Sequence, residues 1–219
     1  MKEKNMIGVA ILGFGVVGSG VARVLEENGA QIEAKAGLPV RVRHILDRKD
    51  LSATAYAGLA AKDMETILAD PEVSVVVETI GGVGAALDYT RRALAAGKSV
   101  VTSNKELVAE HGHELMALAK ERGVSYLYEA SVAGGIPLLH PIKACLGANR
   151  ISEVRGILNG TTNYILTRMF RDRLPFDEAL AEAQARGYAE ADPTADVEGI
   201  DACRKICILA SLVSGAWVA

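Results

Sequence analysis

The chain has 219 residues, of which 50% are hydrophobic and 23% charged, and its formal net charge is −3. This composition is that of an ordinary globular protein, and the small negative charge argues against a nucleic-acid or membrane partner. No apolar run reaches the roughly 20 residues that span a bilayer. The three cysteines, Cys145, Cys203 and Cys207, lack the spacing of a disulfide framework, so a reduced, cytoplasmic compartment is expected. Cys203 and Cys207 share a helix face and are expected to be small core residues.

An apolar run, Ile7–Leu12, predicts the first strand and leads directly into a glycine-rich turn before a helix expected over Ser19–Asn28. The turn has the pattern G-x-G-x-x-G and consists of Gly13, Phe14, Gly15, Val16, Val17 and Gly18. In this setting the first glycine makes a tight turn, the second admits a pyrophosphate, and the third lets helix and strand pack closely. The N-terminus of the helix then faces the phosphates. The pattern predicts dinucleotide binding, and the alternative is a glycine-rich turn that binds nothing.

The second predicted strand, Val40–Leu46, is followed at once by Asp47, Arg48 and Lys49. An acid at this position suits the ribose 2′-hydroxyl of NAD, whereas a base suits the 2′-phosphate of NADP. Both kinds of residue are present, so the sequence leaves the choice between NAD and NADP open.

The first half of the chain continues to alternate between helix and strand. The expected elements are the helix Asp63–Ala69, the strand Ser74–Glu78, the helix Leu87–Ala96, the strand Ser99–Thr102, the helix Glu114–Arg122 and the strand Val124–Glu129. This order predicts an α/β domain with a doubly wound parallel sheet of the Rossmann type over residues 1–130. The carboxyl ends of its strands should bring residues 78–82 and 103–105 to the cofactor edge, although Lys105 could equally be a surface lysine.

The pattern changes after residue 130. A glycine-rich turn at residues 129–137, which could be a simple chain reversal, leads into a helix with Pro137 in its first turn. The further expected elements are the strand Ile151–Leu158, a turn at Asn159-Gly160, the helix Asn163–Phe170 capped by Thr161 or Thr162, and the helix Phe176–Arg186 closed by Gly187. A last helix is expected from a cap at Thr194 or Asp196 to about Val213. Together they predict a second, smaller α+β domain over residues 131–219.

The segment 187–205, GYAEADPTADVEGIDACRK, combines five acidic residues with Lys205. Asp201 and Lys205 lie one helical turn apart and therefore share a face. The apolar run that follows, residues 206–210, indicates a buried helix. One interpretation is a solvated ion pair worth roughly 0.2–0.5 kcal/mol. The other is a lysine held by acids at a cleft wall, able to pass a proton to a substrate oxygen.

Six stretches, in order along nearly the whole chain, resemble homoserine dehydrogenase. They are GFGVVGSGV (13–21), ETIGG (78–82), VTSNKELVA (101–109), YEASVAGGIP (128–137), RGILNGTTNYILTRM (155–169) and GYAEADPTADVEGIDACRK (187–205). The resemblance implies that L-homoserine and L-aspartate 4-semialdehyde are interconverted with NAD or NADP. This reaction is a step towards threonine, isoleucine and methionine, and relatives carry it out as homodimers.

The resemblance also implies a role for each matching residue. The cofactor would be lined by Gly13, Phe14, Gly15, Val16, Val17, Gly18, Thr79, Ser103 and Lys105. The substrate's amino end would be bound or ordered by Glu190, Asp196 and Asp201, while Asp192 supports the same acidic loop. The proton-handling, catalytic lysines would be Lys205 and Lys105. A structural sodium ion would be held by Glu129, Val132, Gly134 and Ile136.

Family members continue beyond the point where this sequence stops, so the second domain is expected to be incomplete. The first hypothesis is an active, homodimeric homoserine dehydrogenase. The second is a catalytically silent NAD(P)-binding fragment without an assembled substrate site. A third, another semialdehyde-handling reductase, is disfavoured because Cys145 is expected within a helix and no cysteine has the setting of a nucleophile.

Overall fold

The computed structural model describes residues 5–218. The chain forms two compact units, one extending to Gly134 and the other beginning at Gly135. The strands of the first unit are β1 (Ile7–Leu12), β2 (Val40–Leu46), β3 (Val73–Glu78), β4 (Ser99–Thr102) and β5 (Tyr126–Leu127). Its helices are α1 (Val16–Glu27), α2 (Gly29–Ala36), α3 (Met64–Ala69), α4 (Gly84–Ala95) and α5 (Lys105–Glu121), with 3₁₀ turns at Ala57–Leu59 and Glu129–Ser131.

The five strands form one parallel sheet in the order β2-β1-β3-β4-β5. Ala10, Ile11 and Leu12 of the interior strand β1 are fully buried, as expected of a parallel sheet covered on both faces. The direction of winding reverses between β1 and β3, and ligands of such sheets bind outside the carboxyl ends of the strands at this switch point. The predicted Rossmann-type fold is confirmed.

In the first unit, a side-chain cap starts one helix earlier than predicted, and a glycine ends a helix that was not predicted. The helix expected at Glu114 begins instead at Lys105, because the Asn104 side chain accepts a hydrogen bond from the Leu107 N–H at 3.1 Å. Gly29, which directly follows the helix expected over Ser19–Asn28, is the first residue of α2. That helix, which the sequence analysis missed, ends at Gly37 in the left-handed conformation with φ 76°.

The described part of the second unit contains helices and no strand. They are α6 (Leu139–Cys145), α7 (Gly160–Asp172), α8 (Phe176–Ala185), α9 (Thr194–Val197) and α10 (Ile200–Ser214). The strand predicted over Ile151–Leu158 is wrong, since this segment has no regular secondary structure. A strand needs a neighbouring strand for its hydrogen bonds, and no other described segment of this unit pairs with it.

Three helix starts in this unit also correct the prediction. Helix α7 is capped by Asn159, whose Oδ1 accepts the Thr162 N–H at 2.8 Å, and not by a threonine. Helix α6 begins after Pro137, which therefore lies outside its first turn. The single helix expected from residue 194 to about 213 is divided into α9 and α10, because Gly199 is left-handed with φ 76°.

The cysteines of α10 are more exposed than predicted. Cys203 is exposed and Cys207 is half-buried, because α10 turns Asp201, Ile208 and Leu209 inward instead. The expectation of core packing is therefore wrong for Cys203. Across residues 5–218, no helix combines the length and apolarity needed to cross a membrane.

Candidate functional site

Two glycines of the G-x-G-x-x-G turn are required by the fold itself. Gly13 has φ 88°, and a Cβ atom there would lie 2.7 Å from the Thr79 carbonyl oxygen. A Cβ on Gly18 would lie 2.0 Å from the Gly13 carbonyl oxygen and 2.9 Å from Thr79 Oγ1. A side chain at Gly18 would require α1 to move, and one at Gly13 would require the loop after β3 to move.

Gly15 differs, because nothing in the chain requires a glycine at this position. Its φ of −80° is open to any residue, and a Cβ atom would meet no atom within 4 Å. Gly15 caps α1 without a side-chain hydrogen bond, and the first turn of α1 carries no acidic residue. The first N–H groups of the helix thus remain available to an anion. An open glycine beside these groups fits the pyrophosphate of a dinucleotide.

Other residues of the turn take part in the structure of the loop. The Phe14 ring packs edge-on against Tyr56, with 5.2 Å between ring centroids. Val16 and Val17 are 91% and 52% exposed, so both valines face outward at the start of α1. Their apolar side chains are free to contact a bound molecule, whereas Phe14 belongs to the adjoining core.

Asp47, at the end of β2, supports the glycine turn through its carboxylate. Its Oδ2 accepts the Phe14 N–H, and its Oδ1 accepts the Lys49 N–H at 2.7 Å. Burial alone would raise the pKa of Asp47, but these hydrogen bonds and the charges of Lys49 and Arg48 outweigh it, and the pKa lies below its usual value. Asp47 is therefore used as a carboxylate by the loop, while Arg48 and Lys49 are exposed.

Thr79 joins the end of β3 to the glycine turn. Its hydroxyl is within hydrogen-bond distance of two carbonyl oxygens, 3.0 Å from that of Leu12 and 2.8 Å from that of Gly13. Its N–H donates to the Leu12 carbonyl at 2.8 Å. Thr79 therefore lies at the predicted edge, with its hydroxyl engaged by the loop backbone.

Ser103 and Lys105 lie immediately after β4, on either side of Asn104, and both are partly buried. The Asn104 side chain caps α5 and also donates from Nδ2 to the Gly82 carbonyl at 2.6 Å. This bond links the loop after β4 to the loop after β3. The sequence analysis missed Asn104, although an asparagine just before a helical apolar pattern is a recognised cap signal.

In the second unit, Lys205 forms a largely buried ion pair. Its Nζ lies 2.6 Å from Asp201 Oδ2 and donates to the Leu158 carbonyl at 2.7 Å. The Lys205 and Asp201 side chains are 18% and 6% exposed. The interpretation as a solvated surface pair is therefore wrong, because both groups have left most of their water.

Asn159 connects two carboxylates of this cluster, the buried Asp201 and the half-buried Asp196. Its Nδ2 donates to Asp196 Oδ1 at 2.6 Å and to Asp201 Oδ2 at 2.8 Å. The sequence analysis treated Asn159 only as a turn residue. We call Asn159, Asp196, Asp201 and Lys205 the lysine–aspartate cluster.

Within residues 5–218, the other acids of the segment form no hydrogen bond to this cluster. Glu190 is exposed, and its backbone carbonyl accepts a hydrogen bond from Gln184 Nε2 at 3.1 Å. Asp192 accepts the Thr194 hydroxyl at 2.6 Å and the Thr194 N–H at 3.1 Å, which lower its pKa. Asp192 thus orders the turn into α9.

The four residues predicted to hold sodium have varied settings. Glu129 opens a 3₁₀ turn, Val132 is fully buried, and Ala133 and Gly134 are both left-handed, with φ of 63° and 57°. Ile136 is 68% exposed and belongs to the other unit. Within the described residues there is no group of three or more His, Cys, Asp or Glu suited to a metal. The predicted sodium ligands are mainly backbone carbonyls, and groups of acidic, histidine and cysteine side chains do not bear on them. The sodium site therefore stays a prediction.

A parallel sheet with this glycine turn at its switch point defines a dinucleotide-binding protein of the Rossmann class. Comparison with family models identifies residues 13–129 as "Homoserine dehydrogenase, NAD binding domain" and residues 137–219 as "Homoserine dehydrogenase". The chain belongs to the homoserine dehydrogenase family.

Individual relatives agree with this assignment. The chain is 46% identical to homoserine dehydrogenase of Bacillus subtilis over 94% of its own length and 48% of that protein's. It is 47% identical to homoserine dehydrogenase of Pseudomonas aeruginosa, over 95% of its own length and 48% of that protein's. The chain thus spans about half the length of the curated relatives it matches.

Solved structures show the same likeness. A homoserine dehydrogenase from Thiobacillus denitrificans superimposes with a TM-score of 0.90 at 44% identity, covering 95% of this chain and 49% of that one. A hyperthermophilic archaeal homoserine dehydrogenase, solved in complex with NADPH, has a TM-score of 0.85 at 28% identity, covering 95% of this chain and 70% of that one.

Proposed function

We propose that the chain interconverts L-homoserine and L-aspartate 4-semialdehyde, with hydride transfer to or from the nicotinamide of NAD(P). The observation that carries this proposal is the lysine–aspartate cluster, in which Lys205 Nζ lies 2.6 Å from Asp201 and 2.7 Å from the Leu158 carbonyl. A polar side chain held this firmly in a mostly buried setting is suited to proton transfer at a fixed point.

Lys205 has one N–H left for a substrate. A lysine ammonium carries three donors, and among the described residues two of them are used, by Asp201 and Leu158. The third would donate to the substrate oxygen as the semialdehyde is reduced. In the reverse direction, the neutral amine would take the proton of the homoserine hydroxyl as hydride leaves for the cofactor. Lys105, at the start of α5, is the second proposed catalytic lysine.

The substrate's ammonium group requires negative charge, and the acidic segment supplies it. We assign this role to Glu190, whose exposed carboxylate has no hydrogen bond to a described residue, with Asp196 and Asp201 ordering the site behind it. Charge-assisted hydrogen bonds between carboxylate and ammonium are stronger than neutral ones. They would also orient the substrate relative to Lys205.

We also propose that the chain binds NADP more tightly than NAD. The Asp47 carboxylate is engaged by two backbone N–H groups, whereas Arg48 and Lys49 beside it are exposed cations. Exposed bases after the second strand suit a 2′-phosphate. Arg48→Ala should weaken NADPH binding about tenfold or more and leave NADH binding within about twofold. Equal losses for both cofactors would contradict the assignment.

Three further features are proposed from membership of the family. They are a structural sodium ion at Glu129, Val132, Gly134 and Ile136, a homodimeric state, and a cytoplasmic location. Each has a direct measurement: sodium-dependent thermal stability, sedimentation velocity and cell fractionation, respectively.

The first experiment is NAD(P)H formation by the purified chain with L-homoserine at alkaline pH, with NAD and NADP in parallel. Turnover would support the proposal. Cofactor binding without turnover would favour the alternative, a catalytically silent NAD(P)-binding fragment.

Lys205→Arg tests the mechanism more sharply than removal of the side chain. Arginine keeps a positive charge beside Asp201 but does not release a proton in proteins. We expect at least about a hundredfold loss of turnover, with NADPH affinity unchanged. Lys120→Arg, at an exposed position on α5, is the matched control. Normal turnover of Lys205→Arg would remove Lys205 from the proton-transfer step.

A further inference from the structure

Glu78, the last residue of β3, is a fully buried carboxylate with no ion-pair partner among the described basic side chains. Instead it is surrounded by hydrogen-bond donors. Its Oε1 accepts the Ile80 N–H at 2.8 Å and the Gly81 N–H at 3.4 Å, and its Oε2 accepts the Thr102 hydroxyl at 2.6 Å. A buried charge is costly unless it is satisfied in this way.

The hydrogen bonds continue from Glu78 into the loop after β4. The Thr102 hydroxyl accepts the Asn104 N–H at 2.9 Å, and Asn104 Nδ2 donates to the Gly82 carbonyl at 2.6 Å. This path returns to the loop after β3 and closes a ring. We call Glu78, Thr102 and Asn104, with the backbone of residues 80–82, the carboxylate ring.

The carboxylate ring is connected to each loop at the switch-point edge of the sheet. Thr79, which follows Glu78, bonds to the Gly13 carbonyl at 2.8 Å and so reaches the glycine turn. Asn104 Oδ1 caps α5, whose first residue is Lys105. The segments that carry the proposed cofactor contacts are therefore joined through one buried carboxylate.

The negative charge of Glu78 also extends to the next strand. Burial raises the pKa of the Tyr126 hydroxyl, and the charge of Glu78 raises it further. The phenol stays neutral, so it adds no second negative charge to the buried region.

We propose that Glu78 is a positioning residue for the cofactor, acting through Thr102 and Asn104 without contacting the cofactor itself. This inference rests on the proposed NAD(P) function. The physical reason is that a carboxylate only accepts hydrogen bonds, so the donors of Ile80, Gly81 and Thr102 all point at Glu78. The loops after β3 and β4 are thereby held in the shape that cofactor binding requires. Loops ordered before binding lose less freedom when the ligand arrives.

Thr102→Val is the most direct test, because it removes one hydroxyl from the ring and keeps the shape of the side chain. Thr90→Val is its matched control: Thr90 is also buried, 0% exposed against 1% for Thr102, but its hydroxyl has no hydrogen-bond partner among residues 5–218. Titration with NADPH should give a dissociation constant at least about fivefold higher for Thr102→Val and within twofold of wild type for Thr90→Val. Both variants should keep the wild-type number of binding sites.

The folded fraction measured without cofactor separates positioning from general destabilisation. A reversibly unfolded population raises the apparent dissociation constant only in proportion to the inverse of the folded fraction. A variant that is about nine-tenths folded or more by circular dichroism therefore cannot lose fivefold in affinity through lower stability alone. Hydrogen exchange without cofactor gives a second reading, since the ring bonds the N–H groups of Ile80 and Asn104 directly. In Glu78→Ala, exchange at both should rise about tenfold or more.

Glu78→Gln should have an NADPH affinity and exchange rates between those of Glu78→Ala and wild type, because its amide oxygen still accepts the Ile80 N–H. Unchanged NADPH affinity and exchange in Thr102→Val and Glu78→Ala would overturn the positioning role while leaving the proposed function intact. A wild-type chain that binds no NADPH would refute both. These two failures are therefore distinguishable.

Discussion

Adding one methyl group at either of two glycines in the same turn should have opposite consequences. In Gly18→Ala the new Cβ lies 2.0 Å from the Gly13 carbonyl oxygen and 2.9 Å from Thr79 Oγ1. Ordinary contacts between heavy atoms are about 3.5 Å or longer, so α1 must move by more than 1 Å. Overpacking of this kind costs about 1–3 kcal/mol, occasionally more. Because the 2.0 Å contact is with backbone, the cost should lie near the upper end of this range, about 3 kcal/mol. Alanine returns up to about 1 kcal/mol in helix propensity, which leaves a net loss of about 2 kcal/mol.

Gly15→Ala places the same methyl group in open space, since no atom lies within 4 Å. Alanine is a poorer helix cap than glycine, so the free energy of unfolding should fall by no more than about 1 kcal/mol. The Cβ would, however, occupy the space that the pyrophosphate needs. NADPH affinity should therefore fall at least about tenfold in this variant, although the fold is retained.

Urea unfolding followed by far-ultraviolet circular dichroism, with hydrogen exchange of the β1–α1 segment, measures the stability of the first unit. Tryptophan fluorescence is unsuitable for this purpose, because the single tryptophan, Trp217, lies in the second unit. NADPH titration supplies the affinities. Wild-type stability in Gly18→Ala would refute the steric argument, and wild-type NADPH affinity in a folded Gly15→Ala would refute the placement of the pyrophosphate.

Two further substitutions test polar contacts of each unit. Burial alone would raise the pKa of Asp70, but hydrogen bonds from the Glu72 N–H, His44 and Arg43 lower it below the usual 3.8. Its stabilisation is therefore complete above pH 3.8 and lost as pH falls through the lower, folded-state pKa. Asp70→Asn should lower the free energy of unfolding of the first unit by about 1–3 kcal/mol at pH 7. It should also reduce the loss of that free energy as the pH falls below 3.8. The same pH dependence of stability in the variant and the wild type would contradict this. Asn159→Ala removes the cap of α7 and the donors to the buried Asp201 and the half-buried Asp196, so it should cost about 2 kcal/mol or more. Fluorescence of Trp217 during urea unfolding should report this loss, and an unchanged midpoint would count against the cluster.

The amino-acid sequence by itself determined the architecture of the first unit. The runs Ile7–Leu12, Val40–Leu46 and Ser99–Thr102 form strands with the predicted bounds. Ile7–Leu12, an interior strand, has no polar side chain because a parallel sheet buries both of its faces. The edge strand Val40–Leu46 also carries Arg41, Arg43 and His44, and its β-branched and apolar residues alone indicate a strand. In both cases the signal is contained in the segment itself. The spacing of the glycine turn is equally local, although its close packing also involves Thr79, 66 residues from Gly13.

The candidate site was predictable only where its residues follow such local signals. The glycine turn and the i, i+4 pair of Asp201 and Lys205 could be read from spacing. The burial of that pair could not, because it depends on the Leu158 carbonyl, 47 residues away in the sequence. Asn159 meets Asp196 and Asp201 across 37 and 42 residues.

Tertiary structure alone decided the remaining features. Segment 151–158 has a strand-like sequence, but a strand forms only when another strand accepts and donates its hydrogen bonds. Glu78 and Thr102 become neighbours because β3 and β4 pair in register, which no local pattern encodes. Side chains that acquire their chemistry from distant partners are determined by the assembled sheet and helices, whereas turns and apolar strands are determined by the residues beside them.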